Sequence, residues 1–487
     1  MSEPAIPPLA TAQRPLRKRL RRAGWILLGF LGILLVIFLL LPVWMSNEQG
    51  RLYVLGRLNR GSAAKLSADD WSLSWFRGTR IKNLSITLPD NTRLLFCPRV
   101  KTELTLWGIL LGHYDVGTTT IDTLQLALTK YADGTTSLDA LAGAPATPGE
   151  PASSRLFAQF RSARGSLRVQ SAVVTINSAA ANESITYTDV DAAVTIAAPD
   201  APFHLRVIAM GPDRSLSLNA TLPAPADWPP KPWMLLSDMD LTATNLPTGL
   251  ACDWVRLDPR WRQSLGPVIE KLTLSHHESP SEPAEARLAV RCPSSGTGID
   301  ARCLLRALPA AATLTLPAGS DYHIDAALFP SPPLEALLAH VNPIFRALRS
   351  SEAPLAISLT SAAWSTDQPA ALTATCQVTF PALSFERTGI LGQLLTFAGE
   401  PPTAPPGMLP LTASPLRVQA DAGELSFSNF FLTSAGRRIR FSGGSSPEGR
   451  LRILATIPLD SGGVLQMGTA DVPIGGTVAQ PALTLPH

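Results

Sequence analysis

From Lys65 to the C-terminus, hydrophobic and polar residues alternate in short runs. WSLSWF sets Trp71, Leu73 and Trp75 against Ser72 and Ser74. RIKNLSITL does the same with Ile81, Leu84, Ile86 and Leu88 after one slip, and TIDTLQLALTKY with Ile121, Leu124, Leu126 and Leu128. FHLRVIAM, SLSLNATL and DYHIDAALF repeat the pattern downstream, the second with Leu216, Leu218, Ala220 and Leu222 on one side. The cleanest run, ALTATCQVTF, opposes Leu372, Ala374, Cys376, Val378 and Phe380 to Thr373, Thr375, Gln377 and Thr379. Successive side chains of a strand point to opposite faces, so period two predicts half-buried strands. About 20 such runs, divided by short turns rich in Gly, Asn, Asp and Pro, predict a mostly antiparallel sheet.

Helical spacing is rarer. It predicts helices over 333–349 (PLEALLAHVNPIFRALR), 387–397 (RTGILGQLLTF) and, more weakly, 249–257 (GLACDWVRL). The stretch SNEQGRLYVLGRLNRGSAA suits a short amphipathic helix, lying on a membrane surface or on the chain's own body. Proline-dense stretches at 142–154, 224–232 and 400–410 read as loops or hinges, because proline cannot donate to a ladder. They divide the exported body into units at 46–141, 155–399 and 411–487.

One segment breaks the alternation. Residues 23–45 (AGWILLGFLGILLVIFLLLPVWM) hold no charged residue over 23 positions. As a helix they reach about 35 Å, against about 30 Å of bilayer hydrocarbon. A buried core helix would show a polar stripe, and a cleaved signal peptide would be shorter and end in small residues. The segment therefore reads as a retained signal-anchor. The tail at 1–22 carries Arg17, Lys18, Arg19, Arg21 and Arg22 directly before it, which places the N-terminus in the cytoplasm and 46–487 outside.

Composition narrows the choices further. The net charge of +3 is close to that of the N-terminal tail alone. A near-neutral body argues against a nucleic-acid partner, which would need a basic face. Five cysteines without a C-x-x-C are too few for a disulfide scaffold and lack the common zinc spacing. Cys292 and Cys303 flank SSGTGID, a candidate hairpin tip, and could face each other as a disulfide; the remaining cysteines read as small buried residues.

Nothing in the chain nominates catalysis. His276-His277-Glu278 is the tightest histidine cluster, but adjacent strand residues point to opposite faces and make a poor metal site. Gly443-Gly444-Ser445-Ser446 follows a strand and reads as a turn, not a phosphate cradle. No G-x-S-x-G, Walker or H-E-x-x-H pattern occurs. No catalytic residue, metal or cofactor is expected.

About 20 alternating strands must hide one face, in a two-sheet sandwich or inside a curved sheet. The residues alone leave both open. Residues 65–141 resemble the N-terminal unit of AsmA-like proteins. The likeness lies in WSLSWFRGTRIKNLSITLPD, in the turn with Leu106, Leu110, Leu111 and Gly112, and in TKYADGTTSLDAL with Asp133 and Gly134. The C-terminal VPIGGTVAQPALTL, with Pro473, Gly475, Gly476 and Pro481, is also similar. The resemblance implies a mainly β protein: a transmembrane helix, then a long, curved, mostly antiparallel β-groove with a few short helices. It implies an inner-membrane anchor, a periplasmic body and a role in outer-membrane lipid homeostasis, with phospholipid as partner. Leu216, Leu218, Leu372, Cys376, Val378 and Phe380 are then the candidate groove lining. Two other readings stay open: an envelope scaffold or assembly factor of the same fold without lipid, and a membrane-anchored hydrolase that lacks a nucleophile motif.

Overall fold

The computed structural model describes residue 36 and residues 38–60, 64–110, 115–139, 164–198, 200–224, 238–277, 284–307, 311–398, 407–434, 437–459 and 468–484. Of the proposed anchor, residues 23–35 and 37 lie outside these, as do the basic tail and the loops at 142–154 and 401–406. Among the described residues no helix is long and apolar enough to cross a membrane.

Residues 38–46 are helical and lead into α1 (Glu48–Leu58), whose first N–H is capped by Asn47 Oδ1. Leu55 faces the body, whereas Leu52, Tyr53 and Leu58 are exposed. Strands β1 (Lys65–Ser67) and β2 (Asp70–Ser72) both pair with β3 (Thr79–Thr87), and β3 with β4 (Arg93–Thr102). After α2 (Leu106–Leu110), strands β5 (Asp115–Asp122) and β6 (Gln125–Lys130) lie antiparallel to β4 and parallel to β7 (Arg164–Ser178). That parallel step departs from the antiparallel expectation. A long connection separates β6 from β7, and only such a crossover allows parallel pairing.

From β7 onward the antiparallel ladder follows chain order. It runs through β8 (Glu183–Ile196), β9 (Phe203–Met210), β10 (Ser215–Leu222), β11 (Asp238–Pro247), β12 (Val268–His277), β13 (Glu285–Cys292) and β14 (Thr297–Ala307). Helices α3 (Thr248–Trp254) and α4 (Arg262–Leu265) interrupt the chain between β11 and β12. Two short strands, β15 (Ala312–Leu316) and β16 (His323–Leu328), share the next position. Helix α5 (Pro332–Val341), a 3-10 turn (Pro343–Ala347) and β17 (Leu348–Ser351) then precede β18 (Leu355–Ser365) and β19 (Thr373–Thr379).

The last part closes on itself. β20 (Leu383–Glu386), α6 (Gly389–Phe397) and β21 (Met408–Ala413) come next, and β17, β20 and β21 form a small side sheet. It rejoins the ladder where β21 meets β23 (Glu424–Ser434), which itself follows β22 (Leu416–Asp421). β19 pairs with β22, and β24 (Arg437–Ser445), β25 (Leu451–Leu459), β26 (Gly468–Gly476) and β27 (Pro481–Leu483) finish the ladder. Counted along the hydrogen bonds the ladder is about 20 strands deep, on the order of 90 Å along its path. The pairings pass through the expected unit boundary near 400–410, since β20 is joined to β21.

The three expected helices are present, each shorter than its pattern. α5 begins at Ser331, whose hydroxyl accepts from Leu334 N, with prolines in the first turn. It stops at Asn342 because Pro343 cannot continue the ladder of helix bonds. α6 buries Ile390, Leu391, Leu394 and Leu395 on one face. Both helices enter one core with Phe345, Phe385, Phe430 and Phe441.

Two expectations are corrected. Cys292 and Cys303 are free thiols. The hairpin exists, but Cys292 pairs with Thr297 at its tip, while Cys303 lies opposite Ala286. Six residues at about 3.3 Å separate the two levels by roughly 20 Å, far outside disulfide reach. Gly443 and Gly444 are not in a turn but inside β24. A Cβ on Gly444 would lie 1.8 Å from the Leu425 carbonyl oxygen, so the neighbouring backbone occupies the side-chain position. The turn falls just after, where Gly449 N donates to Ser446 O.

Candidate apolar trough

Register aligns the apolar positions of successive strands into rows that cross the sheet. One row runs Val169, Ala192, Val207, Leu218, Leu241, Leu274, Leu288, Ala301, Ile324, Leu359, Cys376, Val418 and Phe427. Each is the direct pairing partner of the next, from β7 to β23, and none is charged. Two residues away on the same face runs a second row: Val190, Ala209, Leu216, Ala243, Leu272, Val290, and on through Ile299, Ala326, Ile357, Val378 and Leu416. A third, on the other side of the first, runs Val194, Leu205, Ala220, Met239, His276, Ala286 and Cys303. The opposite face is polar: Arg206, Asn219, Asp240, Ser275, Arg287, Arg302 and His323 form its corresponding row. Because the side-chain period is two, a slip of one residue would exchange the faces.

The apolar face is covered unevenly. At the early end, Cys97, Val169, Ala172, Ile185, Tyr187 and Leu250 form a closed core. There α3 is tied down by a buried polar group. Lys130 Nζ donates to both the carbonyl and Oδ1 of Asp253, and Ser178 Oγ donates 2.6 Å to Asp253 Oδ2. Burial pushes the Asp253 carboxyl up, but the Ser178 and Lys130 hydrogen bonds and the Lys130 charge outweigh it, and its pKa lies below the ordinary value. At the late end, the core with α5 and α6 closes the face. Between them Leu205, Leu218, Leu241, Met239 and Leu274 join none of the buried clusters and remain half-buried at mid-sheet.

The six candidate lining residues fall at different places. Leu218 sits in the uncovered stretch, and Leu216 borders the early core. Cys376 lies on the fringe of the late core, while Val378 and Phe380 are inside it, 3% and 8% exposed. Phe380 stacks on Phe345 at 5.4 Å between centroids. Leu372 lies between a 3-10 turn (Pro369–Ala371) and β19 and is half-buried. Periodicity marked the apolar face of β19 but not what packs on it, because α5 and the 3-10 turn that cover it lie about 30 residues away. The uncovered leucines of β11 and β12 escaped notice because a row appears only once six strands are in register.

The polar groups on the trough are inert. Burial pushes the Cys376 thiol up to about 11 and raises that of Cys303, so both remain protonated and pack as small apolar groups. His276, the polar member of the third row, is 1% exposed with Nε2 3.2 Å from the Leu305 carbonyl oxygen. His277, on the other face, lies between Asp238 and Asp240 at 3.0 and 3.3 Å. Its hydrogen bond to Asp238 raises its pKa despite some burial. Among the described residues no three His, Cys, Asp or Glu side chains converge as a metal site. A continuous apolar face of this kind can hold hydrocarbon.

Comparison of the chain with protein-family models, curated proteins and solved structures finds no match. The functional reading therefore stands on the trough and on what adjoins it.

The adjoining feature is the foot of the sheet, where the helical residues 38–46 dock. Trp75 stacks on Phe38 at 3.8 Å and donates Nε1 to its carbonyl at 3.0 Å. Trp71 Nε1 donates to Met45 O at 2.6 Å, and Leu73 N to Ser46 Oγ at 3.0 Å. Around this joint Val36, Leu39, Leu40, Val43, Trp44, Tyr53, Phe76 and Trp107 are exposed, Phe76 by 77%. So many large apolar side chains at one end exceed what scattered surface residues explain.

Proposed function

We propose that this chain is an AsmA-like protein, anchored in the bacterial inner membrane through residues 23–45, whose periplasmic body binds phospholipid acyl chains along its apolar trough. In this reading it handles phospholipid without covalent chemistry and contributes to outer-membrane lipid homeostasis. The observation that carries it is the run of apolar pairing partners across β7 to β23, left uncovered around Leu218, Leu241 and Leu274. Burial at about 0.8 kcal/mol per CH₂ holds a chain on such a face, and the absence of charge along the row lets it slide.

The exposed aromatic collar supports the anchored placement, since Trp and Tyr favour the membrane interface. The packed late end gives the proposal a definite form. Phe345, Phe380 and Phe430 fill the space there and the core around Tyr187 closes the anchor side, so the face is open only at its middle, around β10 to β12, and takes an acyl chain there. Its uncovered part suits one lipid at a time. A second reading, a scaffold of the same fold without lipid, takes support from that same closed core.

Lipid extraction and mass spectrometry of the full-length protein, purified in a mild detergent, separates the two. The trough reading expects bound phospholipid, reduced at least fivefold in Leu241→Gln/Leu274→Gln, which puts no like charges on these paired, half-buried positions; the thermal transition checks that the variant folds. Equal lipid on both proteins, or none on either, favours the scaffold.

A further inference from the structure

Beside the foot of the sheet, on its polar face, lies a cavity of about 440 Å³ lined by hydroxyls and cations. Direct pairing places Ser72, Arg80, Lys101 and Thr120 in one row across β2, β3, β4 and β5. Arg168 of β7 is the next partner in the row. Adjacent strands are about 4.8 Å apart, so Arg80 and Lys101 stand directly opposite each other as like charges, an unfavourable cross-strand pair. Arg77, from the loop between β2 and β3, adds a third cation to the same cavity. Among the described residues none of these three cations forms a salt bridge. The single carboxylate in the lining, Glu103, is engaged by Thr118 N at 2.9 Å.

Three cations against one carboxylate, ringed by hydroxyl donors, are an arrangement that binds a phosphate group, through charge-assisted hydrogen bonds and a fork from Arg. The position decides which phosphate. Ser72 neighbours Leu73, whose N–H is held by Ser46 at the end of the helix that continues from the proposed anchor. Phe76, four residues on, belongs to the exposed collar, next to Trp75, which is buried against Phe38. The cavity thus lies at headgroup level wherever the collar sits at the interface.

We propose that the Ser72–Arg80–Lys101–Thr120 cavity, with Arg77, binds the phosphate of an anionic phospholipid headgroup at the membrane surface. This rests on the anchored lipid-handling reading and adds a headgroup site that the apolar face lacks.

The test uses the full-length protein in a zwitterionic detergent and two probes, dihexanoyl phosphatidylglycerol and inorganic phosphate. Binding of each is measured by calorimetry for wild type and for Arg80→Gln/Lys101→Gln, both exposed positions. The expected result is phosphatidylglycerol binding that weakens as salt rises and falls at least tenfold in the double variant, with inorganic phosphate at least tenfold weaker. Equal affinity for inorganic phosphate would overturn the lipid assignment in favour of a free anion site. Unchanged phosphatidylglycerol binding in the double variant would overturn the cavity. Leu241→Gln/Leu274→Gln, run alongside, keeps the two readings apart: it should retain salt-sensitive phosphatidylglycerol binding while losing co-purified long-chain lipid.

Discussion

Lys130 and Asp253 are the side chains whose burial is hardest to account for by packing alone. They join β6 to α3 across 123 positions of sequence, with side chains 8% and 11% exposed, and Ser178 completes the carboxylate's hydrogen bonds. Removing one member strands a buried charge, so Asp253→Ala should cost about 3 kcal/mol or more in urea unfolding. Because the folded-state pKa of Asp253 lies below the unfolded value near ~3.9, its contribution is present above that value. It is lost as pH falls through the folded value, so the gap between wild type and variant should narrow below about pH 4. A gap that is constant with pH would mean the carboxylate's charge is not what matters. None of this was legible in the chain, where Lys130 sits near the end of an alternating run and Asp253 inside the weakest of the helical patterns. His276 and His277 were legible, since opposite faces follow from strand geometry alone.

Elements were legible where a pattern is local and illegible where a partner is distant. Alternation identified the strands, and the helix at 387–397 was found from Leu391, Leu394 and Leu395. The parallel placement of β5 and β6 on β7 was not, because it depends on how a crossover returns. Nor was the register of the hairpin at Cys292, whose turn closes at 293–296, about three residues earlier than facing cysteines would need. The α5 and α6 helices matter because they fill the apolar face at one end. Phe345, fully buried between Phe380, Phe385 and Phe430, is the wedge of that filling. Phe345→Ala should cost about 3–5 kcal/mol in a denaturant titration. It should do so without reducing lipid bound in the trough, since the wedge lies beyond the open middle of the face. Loss of lipid with little loss of stability would place cargo inside this core.

At the scale of the whole molecule, one sheet about 20 strands deep carries a polar face and an apolar face along its length. The fold class was readable from the sequence, because a period of two repeated through most of the chain permits little else. The alternation left a choice between a sandwich and a curved groove; register aligns the apolar positions into rows across the sheet, and the leucines of β10 to β12 in those rows are half-buried. The central claim is that acyl chains lie on that face. Photo-crosslinking in living cells tests it most directly, with a benzophenone amino acid placed in turn at Leu218, Leu241 and Leu274 and at their polar-face neighbours Ser217, Thr242 and Thr273. Phospholipid adducts at the first three positions and not at the second three are the predicted result. Adducts on both faces alike, or on neither, would contradict it.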